Sequence, residues 1–441
     1  MIDKLLYKRV DNAPLIVFRI IFGLLLFLET FGAILTGWVR RTLVEPEFTF
    51  NFIGFDFLQP LPGMGMYFYF GFMAVLGIMV MLGYRYRLSL GLFTVMWTCV
   101  YLMQKSSYNN HYYLLILVCL FMLVVPADRY KSIDVRRNPE RKSLDMPNWV
   151  RVVIILQLFI VYTYASVAKL YPDWLDLTVP ARLMATKANY PVIGDLLQEP
   201  WVHASIAWFG ILFDLLIIPL LLWKRTRNFA LLLSVFFHLF NSIVLQIGIF
   251  PYLSLAFILF FYDPETIRKR FLKHKPAFEN NPVQVPNYKN TLLLVGGIYF
   301  TVQILLPLRH HVIPDDVLWT EEGHRMSWRM MLRTKHGYIT FEAVDKATGE
   351  RIHIDHEAIL SPKQRRIITT KPDVIWQFAR RIKKDMAAQG KDVSVYVTRS
   401  KVSVNGRPLE RFIRPDVDIA AEPWHTFRHE TWIYPSKKGN E

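Results

Sequence analysis

Lys105-Ser106-Ser107-Tyr108-Asn109-Asn110-His111-Tyr112-Tyr113-Leu114 is a polar decapeptide between two strongly apolar runs, Leu88 to Met103 and Leu114 to Val125. Such a short polar island reads as the turn between two membrane spans. Hydration alone explains a polar turn, and interfacial tyrosines are common at headgroup level. This turn also carries a cation, two adjacent amides and an imidazole, placed where the next helix must begin. A helix start presents free backbone N–H groups and a positive dipole end. An anion or a quinol oxygen meets a ready donor set there. Lys105 itself reads as a side chain of the hydrated turn.

The surrounding composition fits a membrane chain. Of 441 residues, 53% are hydrophobic, and the mean hydropathy is +0.23. That is too apolar for an ordinary soluble chain and too charged for spans alone, so a membrane part plus a soluble part is expected. The formal net charge is +16. In a membrane protein such an excess collects on cytoplasmic loops, and no nucleic acid partner is implied. Cys99 and Cys119 both lie within apolar runs, which suits small buried hydrophobes and not a disulfide framework or a metal site. The run Leu15 to Trp38 is long enough to be a retained first helix.

A span needs ~20 apolar residues. The candidates are 13–36, 64–83, 88–104, 111–126, 149–168, 203–223, 228–246 and 291–308, with a shorter run at 250–262. The expected fold is a polytopic α-helical bundle of eight or nine spans in the lipid bilayer, over residues 1–308. Basic residues cluster before the first span, between the second and third, the fourth and fifth, the sixth and seventh, and before the last. If 250–262 crosses, all these groups share the cytoplasmic side. Arg40 and Arg41 are a mild exception. The 105–111 turn, the connection 169–202, the Gln246–Phe250 corner and everything after Pro307 then face outward.

From Arg309 the apolar runs stop, and residues 309–441 read as a small strand-rich α+β extracytoplasmic domain. Strands are expected at Tyr338–Ala343, Arg351–Asp355 and Val393–Thr398. A helix opens at Pro372-Asp373, shows an apolar face through Val374, Phe378, Ile382 and Met386, and stops at Gly390. Val402–Val404, Asn405-Gly406 and Pro408–Ile413 read as a hairpin.

Several residues stand out chemically. Lys169 ends the fifth span, a position that suits a snorkelling lysine or, against Tyr162, Tyr164, Tyr171 and Trp174, a desolvated base. His238 lies deep in the seventh span, with Asn241 and Ser242 on its face. An intramembrane ionisable residue is a functional candidate, although one His and one Asn can satisfy each other. His310 and His311 form a doublet that no close ligand set completes, so no metal is expected. His310, Trp328, Trp424 and Phe427 are the outer candidates for substrate binding. There is no nucleotide loop, nucleophile elbow or HExxH motif.

In order along the chain, these motifs resemble the vitamin K-dependent γ-glutamyl carboxylase family within the wider HTTM group. The resemblance rests on 105–114, Lys-Leu-x-x-Asp-Trp at 169–174, Phe-His-x-x-Asn-Ser at 237–242 and Ile-Gly-x-Phe at 247–250. It continues through Leu-Pro at 306–307, Trp-Thr at 319–320, Ser-Trp at 327–328, Asp-Val-Asp-Ile at 416–419 and Trp-x-x-Phe at 424–427. It implies that Lys169 deprotonates a reduced vitamin K or menaquinone-type naphthohydroquinone. Oxidation by dioxygen then generates a strong base, which removes a γ-proton from glutamate in a peptide or protein. The carbanion captures carbon dioxide, and the quinone leaves as the epoxide. The resemblance places Asn110 and His111 beside the reacting groups, and the cofactor set is Asn110, His111, Lys169, Trp174, His238 and Asn241. A lateral entrance among the spans is expected for a lipid-soluble quinone.

The sequence departs from the animal enzymes in two ways. Ala168 stands where they have a second lysine, and both cysteines lie in spans, so their link between membrane part and outer domain has no counterpart. The shorter C-terminal region suggests a bacterial form in the inner membrane, with its C-terminal domain in the periplasm. Two classes of function follow: a quinol-dependent carboxylase or epoxidase, and a non-catalytic quinone- or lipid-binding membrane protein. Lys169, Asn110 and His111 favour the first.

Overall fold

The structure, a computed structural model, describes residues 2–278 and 282–437. Among these, nine apolar helices form the membrane part. They are α1 (Ala13–Leu35), α2 (Gly65–Leu82), α3 (Tyr86–Met103), α4 (Asn110–Val124), α5 (Trp149–Val167), α6 (Pro200–Leu222), α7 (Arg227–Ile243), α8 (Phe250–Phe257) and α9 (Lys289–Leu308). Six of them, α1–α3, α5, α6 and α9, have the length and hydropathy to cross a membrane, while α4, α7 and α8 are shorter. The closest helix contact follows from two glycines. A Cβ on Gly23 would meet the backbone N of Met81 at 2.2 Å, and one on Gly77 would meet that of Phe27 at 2.6 Å. Small residues of this kind let membrane helices approach where lipid offers no hydrophobic drive.

The run 250–262 is short as a helix, ending in a 3-10 turn through Phe260. It nevertheless links the two ends of the bundle. Phe250 stacks on His111 at the start of α4, whereas the Phe260 carbonyl accepts from Arg151 near the start of α5. Beyond it, Lys275 reaches Asp11 at 2.8 Å. A two-stranded ribbon of Arg9–Asp11 with Asp145–Pro147 closes that same end. Asp11 and Arg268 also meet there, at 3.9 Å.

The opposite end carries the outer domain. Its sheet has strands β1 (Lys335–Asp345), β2 (Arg351–Ile354), β3 (Val393–Val404) and β4 (Glu410–Arg411), all antiparallel, in the order β2-β1-β3-β4. Helix α10 (Pro372–Ala388) buries Val374, Phe378 and Ile382 against it. The expected strand Val393–Thr398 continues unbroken to Val404, because β1 is long enough to pair with all of it. The expected tight hairpin is therefore wider: Val402 pairs with Glu410, and Asn405-Gly406 sits within the connection. One contribution to this core comes from far upstream. Phe48 and Phe50, in the connection between α1 and α2, are buried among the outer-domain hydrophobics.

Candidate functional site

The polar turn is an interdomain joint. Asn109 caps α4, its Oδ1 accepting from Tyr112 N at 2.8 Å. Asn110 is buried and uses both ends of its amide: Tyr108 Oη donates to its Oδ1 at 2.7 Å, and its Nδ2 donates to Arg329 O at 3.1 Å. His111 lies flat on Phe250, with ring centroids 4.1 Å apart. Lys105 corrects the reading of a hydrated side chain. It is only 4% exposed and pairs with Asp373 of α10. The outer domain covers the turn, and a sequence pattern of polar residues cannot reveal that cover.

Lys169 follows the last turn of α5, is 7% exposed and folds back toward the membrane. Its Nζ donates to Ala165 O at 2.9 Å and to Asp214 Oδ2 at 2.5 Å. Of the four aromatics expected around it, Trp174 faces the amine, 5.7 Å from ring centre to Nζ. The others are turned to different work: Tyr162 to His238, Tyr164 to Ile304 O and Tyr171 to Leu332 O. The wall around Lys169 is thus partly acidic and not wholly apolar. Asp214, on α6, was legible as a lone acid inside an apolar run, which is a functional signal in itself.

His238 is buried, at 1% exposure. Its Nε2 lies 3.1 Å from Tyr162 Oη. The partner comes from α5, so pairing with Asn241 on its own helix is not what holds the imidazole. Asn241 is buried on the same helix. Tyr162 and Ala165 lie three residues apart on one face of α5, so the Lys169 amine and the Tyr162–His238 pair address the same side. Phe213 joins them, 6.2 Å from Tyr162 and 5.9 Å from His238 between ring centroids.

The outer candidates separate into two groups. Trp328 is buried and stacks on Tyr113 at 5.2 Å. His310 is held by Pro307 O through Nδ1 at 2.8 Å and by Arg329 through Nε2 at 3.2 Å. Both are internal. Trp424 instead lines a crevice of about 160 Å³ between bundle and outer domain, with Lys105, Arg309, Glu321, Glu322, Arg325 and Asp373. Phe427, on the same loop, is 67% exposed.

Two carboxylates at this crevice gather cations around them. Arg325 and Lys105 converge on Asp373, while Arg333, Lys371 and Lys335 converge on Glu321. Burial works against the charge on both carboxylates, but the neighbouring cations win and hold each below the usual carboxylate range. Burial pushes Lys105 and Lys371 down to about 8 and Lys335 to about 7. The lining itself balances three cations, Lys105, Arg309 and Arg325, against three acids, Glu321, Glu322 and Asp373.

On the membrane side, the rings of His111 and Phe250 stack on one another, and His238 Nδ1 is buried without a hydrogen-bond partner among the described residues. A buried group of that kind calls for a ligand. Comparison with known families matches residues 7–265 to the HTTM domain. Residues 288–439 match the lumenal domain of vitamin K-dependent gamma-carboxylase. No solved structure matches the chain.

Proposed function

The chain belongs to the vitamin K-dependent gamma-carboxylase family, and we propose that it oxidises a reduced vitamin K or menaquinone-type naphthoquinone with dioxygen to the epoxide. On this reading, the oxidation is coupled to carboxylation of a glutamate in a peptide or protein by carbon dioxide. The observation that carries the reading is the Lys169–Asp214 pair, buried at 2.5 Å on the same face of α5 as Tyr162 and His238. A protein that merely bound lipid has no need of a buried amine with its own carboxylate.

Lys169, Trp174, His111, Asn110, His238 and Asn241 are the residues that would hold the quinol. Its oxidation supplies a base far stronger than any side chain, which a γ-proton demands. The protein's part is narrower. Lys169 accepts a hydroxyl proton at Nζ. Asp214 orients that amine and stabilises the ammonium that results. His238 donates or accepts at Nδ1, the role opposite to the one its Nε2 takes toward Tyr162 Oη. The buried apolar walls keep water from the reacting centre. In the outer crevice, Arg325, Arg309 and Lys105 would meet the glutamate carboxylate, and Trp424 and Phe427 would flank the peptide.

The protein is an integral membrane protein. We place its membrane part at 1–308 and its outer domain at 309–441, on the periplasmic side of a bacterial inner membrane. The basic loops collect at the end of the bundle away from that domain, which supports this orientation. The test uses purified protein in lipid nanodiscs, supplied with reduced naphthoquinone in air. Epoxide should form with the wild type and not with Lys169→Ala. Labelled carbon dioxide should enter a glutamyl peptide in the same reaction; epoxide without label would reduce the function to epoxidation. A folded protein that binds the quinone and makes no epoxide would leave only the binding role.

A further inference from the structure

The sequence Asn405-Gly406-Arg407 does more than turn the chain after β3. Asn405 and Gly406 have φ of 53° and 79°, a left-handed pair that the residue types allow. The turn is held rigid from behind, since Thr334 N donates to Asn405 Oδ1 and Asn405 N donates to Thr334 O, both at 2.9 Å. Its front faces the membrane part. Asn405 Nδ2 donates to Asp173 Oδ2 at 2.8 Å, and the Arg407 guanidinium donates to the same oxygen. Gly406 lies so close to Arg182 that a Cβ there would collide with the guanidinium. A second tie lies alongside, where Tyr171 Oη donates to Leu332 O.

The segment gripped in this way begins at Lys169. Tyr171 N donates to Lys169 O at 3.0 Å. Trp174, next to Asp173, is anchored to α6 through Nε1 and Ala207 O at 3.3 Å, and its ring faces the Lys169 amine. Lys169 itself stands beyond the last helical residue, Val167. A lysine in that position has rotamer freedom to lose and a loop backbone that moves unless tied down. A base has to be held within ~0.5 Å of its working geometry.

We infer that Arg407 and Asn405 are positioning residues for Lys169, acting across the domain boundary through Asp173 and Trp174. The inference rests on reading Lys169 as the base. Its geometry gives Asp173 two donors on one oxygen, one of them charged, which is the stronger class of hydrogen bond. The outer domain thus bears on Lys169 without touching it.

Three variants of the full chain in nanodiscs test this: Arg407→Ala, Arg407→Lys and Asp173→Asn. The first readout is hydrogen–deuterium exchange of residues 168–177. The second is the rate at which acetic anhydride labels Lys169, followed by mass spectrometry across pH. The third is epoxide formation, resolved into kcat and KM. For Arg407→Ala, exchange in 168–177 and labelling of Lys169 should rise several-fold. Its kcat should fall by about 100-fold, the scale of a small misplacement, with a displaced pH profile and little change in KM for the quinol. Arg407→Lys should recover part of each. Wild-type exchange, labelling and pH profile in both Arg407→Ala and Asp173→Asn would overturn the inference. If Arg407→Ala does not fold, Arg407→Lys against Asp173→Asn decides by the same readouts. If the wild type forms no epoxide, the functional reading fails by itself, while exchange and labelling still decide whether the turn positions Lys169.

Discussion

Lys169 Nζ lies 2.5 Å from Asp214 Oδ2, and this contact ties the end of α5 to the interior of α6. The base proposed here is therefore half of a pair. The carboxylate fixes where the amine points, so the two act together. Lys169→Ala should abolish epoxide formation, with partial recovery by small added amines that enter the vacated space. Asp214→Asn should retain quinone binding and lose turnover by about 100-fold or more, the lower range for loss of general acid–base assistance. Full activity in Asp214→Asn would remove the acid from the mechanism.

Asn110→Ala should act on two levels. Its amide is already committed to Tyr108 and Arg329, so truncation strands buried groups at a cost of about 1–3 kcal/mol. Weakened quinol use should accompany a lower melting temperature. His111→Ala should chiefly impair turnover of the carbon substrate, with a loss of stacking on Phe250. Separate titration of quinol and peptide, alongside thermal melts, resolves the two effects.

Lys105→Ala should not be mild. Its ammonium is enclosed with Asp373, and breaking a buried pair costs on the order of 3 kcal/mol. Arg325 still neutralises Asp373, so the outer domain should loosen without detaching. A melting temperature equal to wild type would show that Arg325 alone suffices.

Acid should weaken the same joint. Burial disfavours the charge on Asp373, yet Arg325 and Lys105 hold it below the ordinary value. The unfolded chain then binds the proton first as pH falls, so this contribution is complete above the unfolded value of ~3.9 and is lost progressively below it. Trp376 and Trp424 in the outer domain report the change by fluorescence. Asp373→Asn should flatten the acid limb of stability; an unchanged limb would assign it to other carboxylates.

Trp328 and Phe427 should behave oppositely. Trp328 is enclosed against Tyr113, so Trp328→Ala should destabilise by about 3–5 kcal/mol. Phe427→Ala should leave stability alone and reduce photocrosslinking of a glutamyl peptide to the loop that carries Trp424. Crosslinks confined to the opposite end of the bundle would refute the outer crevice as the peptide site.

Much of this architecture was readable from residue order alone. Apolar length located the helices, because a bilayer demands ~20 apolar residues whatever the rest of the fold does. Alternation located the sheet, and the i, i+4 face of Val374 to Ile382 located the helix that covers it. Lys169, His238 and Asn110 stood out because polar groups in an apolar setting are costly and so need a reason. What residue order could not supply was the partner of each. Periodicity relates a residue to neighbours three or four positions away, as it did in pointing His238 toward Asn241. The partners that count here lie 45 residues on, for Lys169 and Asp214, and 76 for Tyr162 and His238. For Lys105 and Asp373 the separation is 268. Which polar group meets which across such distances is settled when helices and outer domain close on one another, since only then is water removed and each buried charge left to the partner that the packing brings.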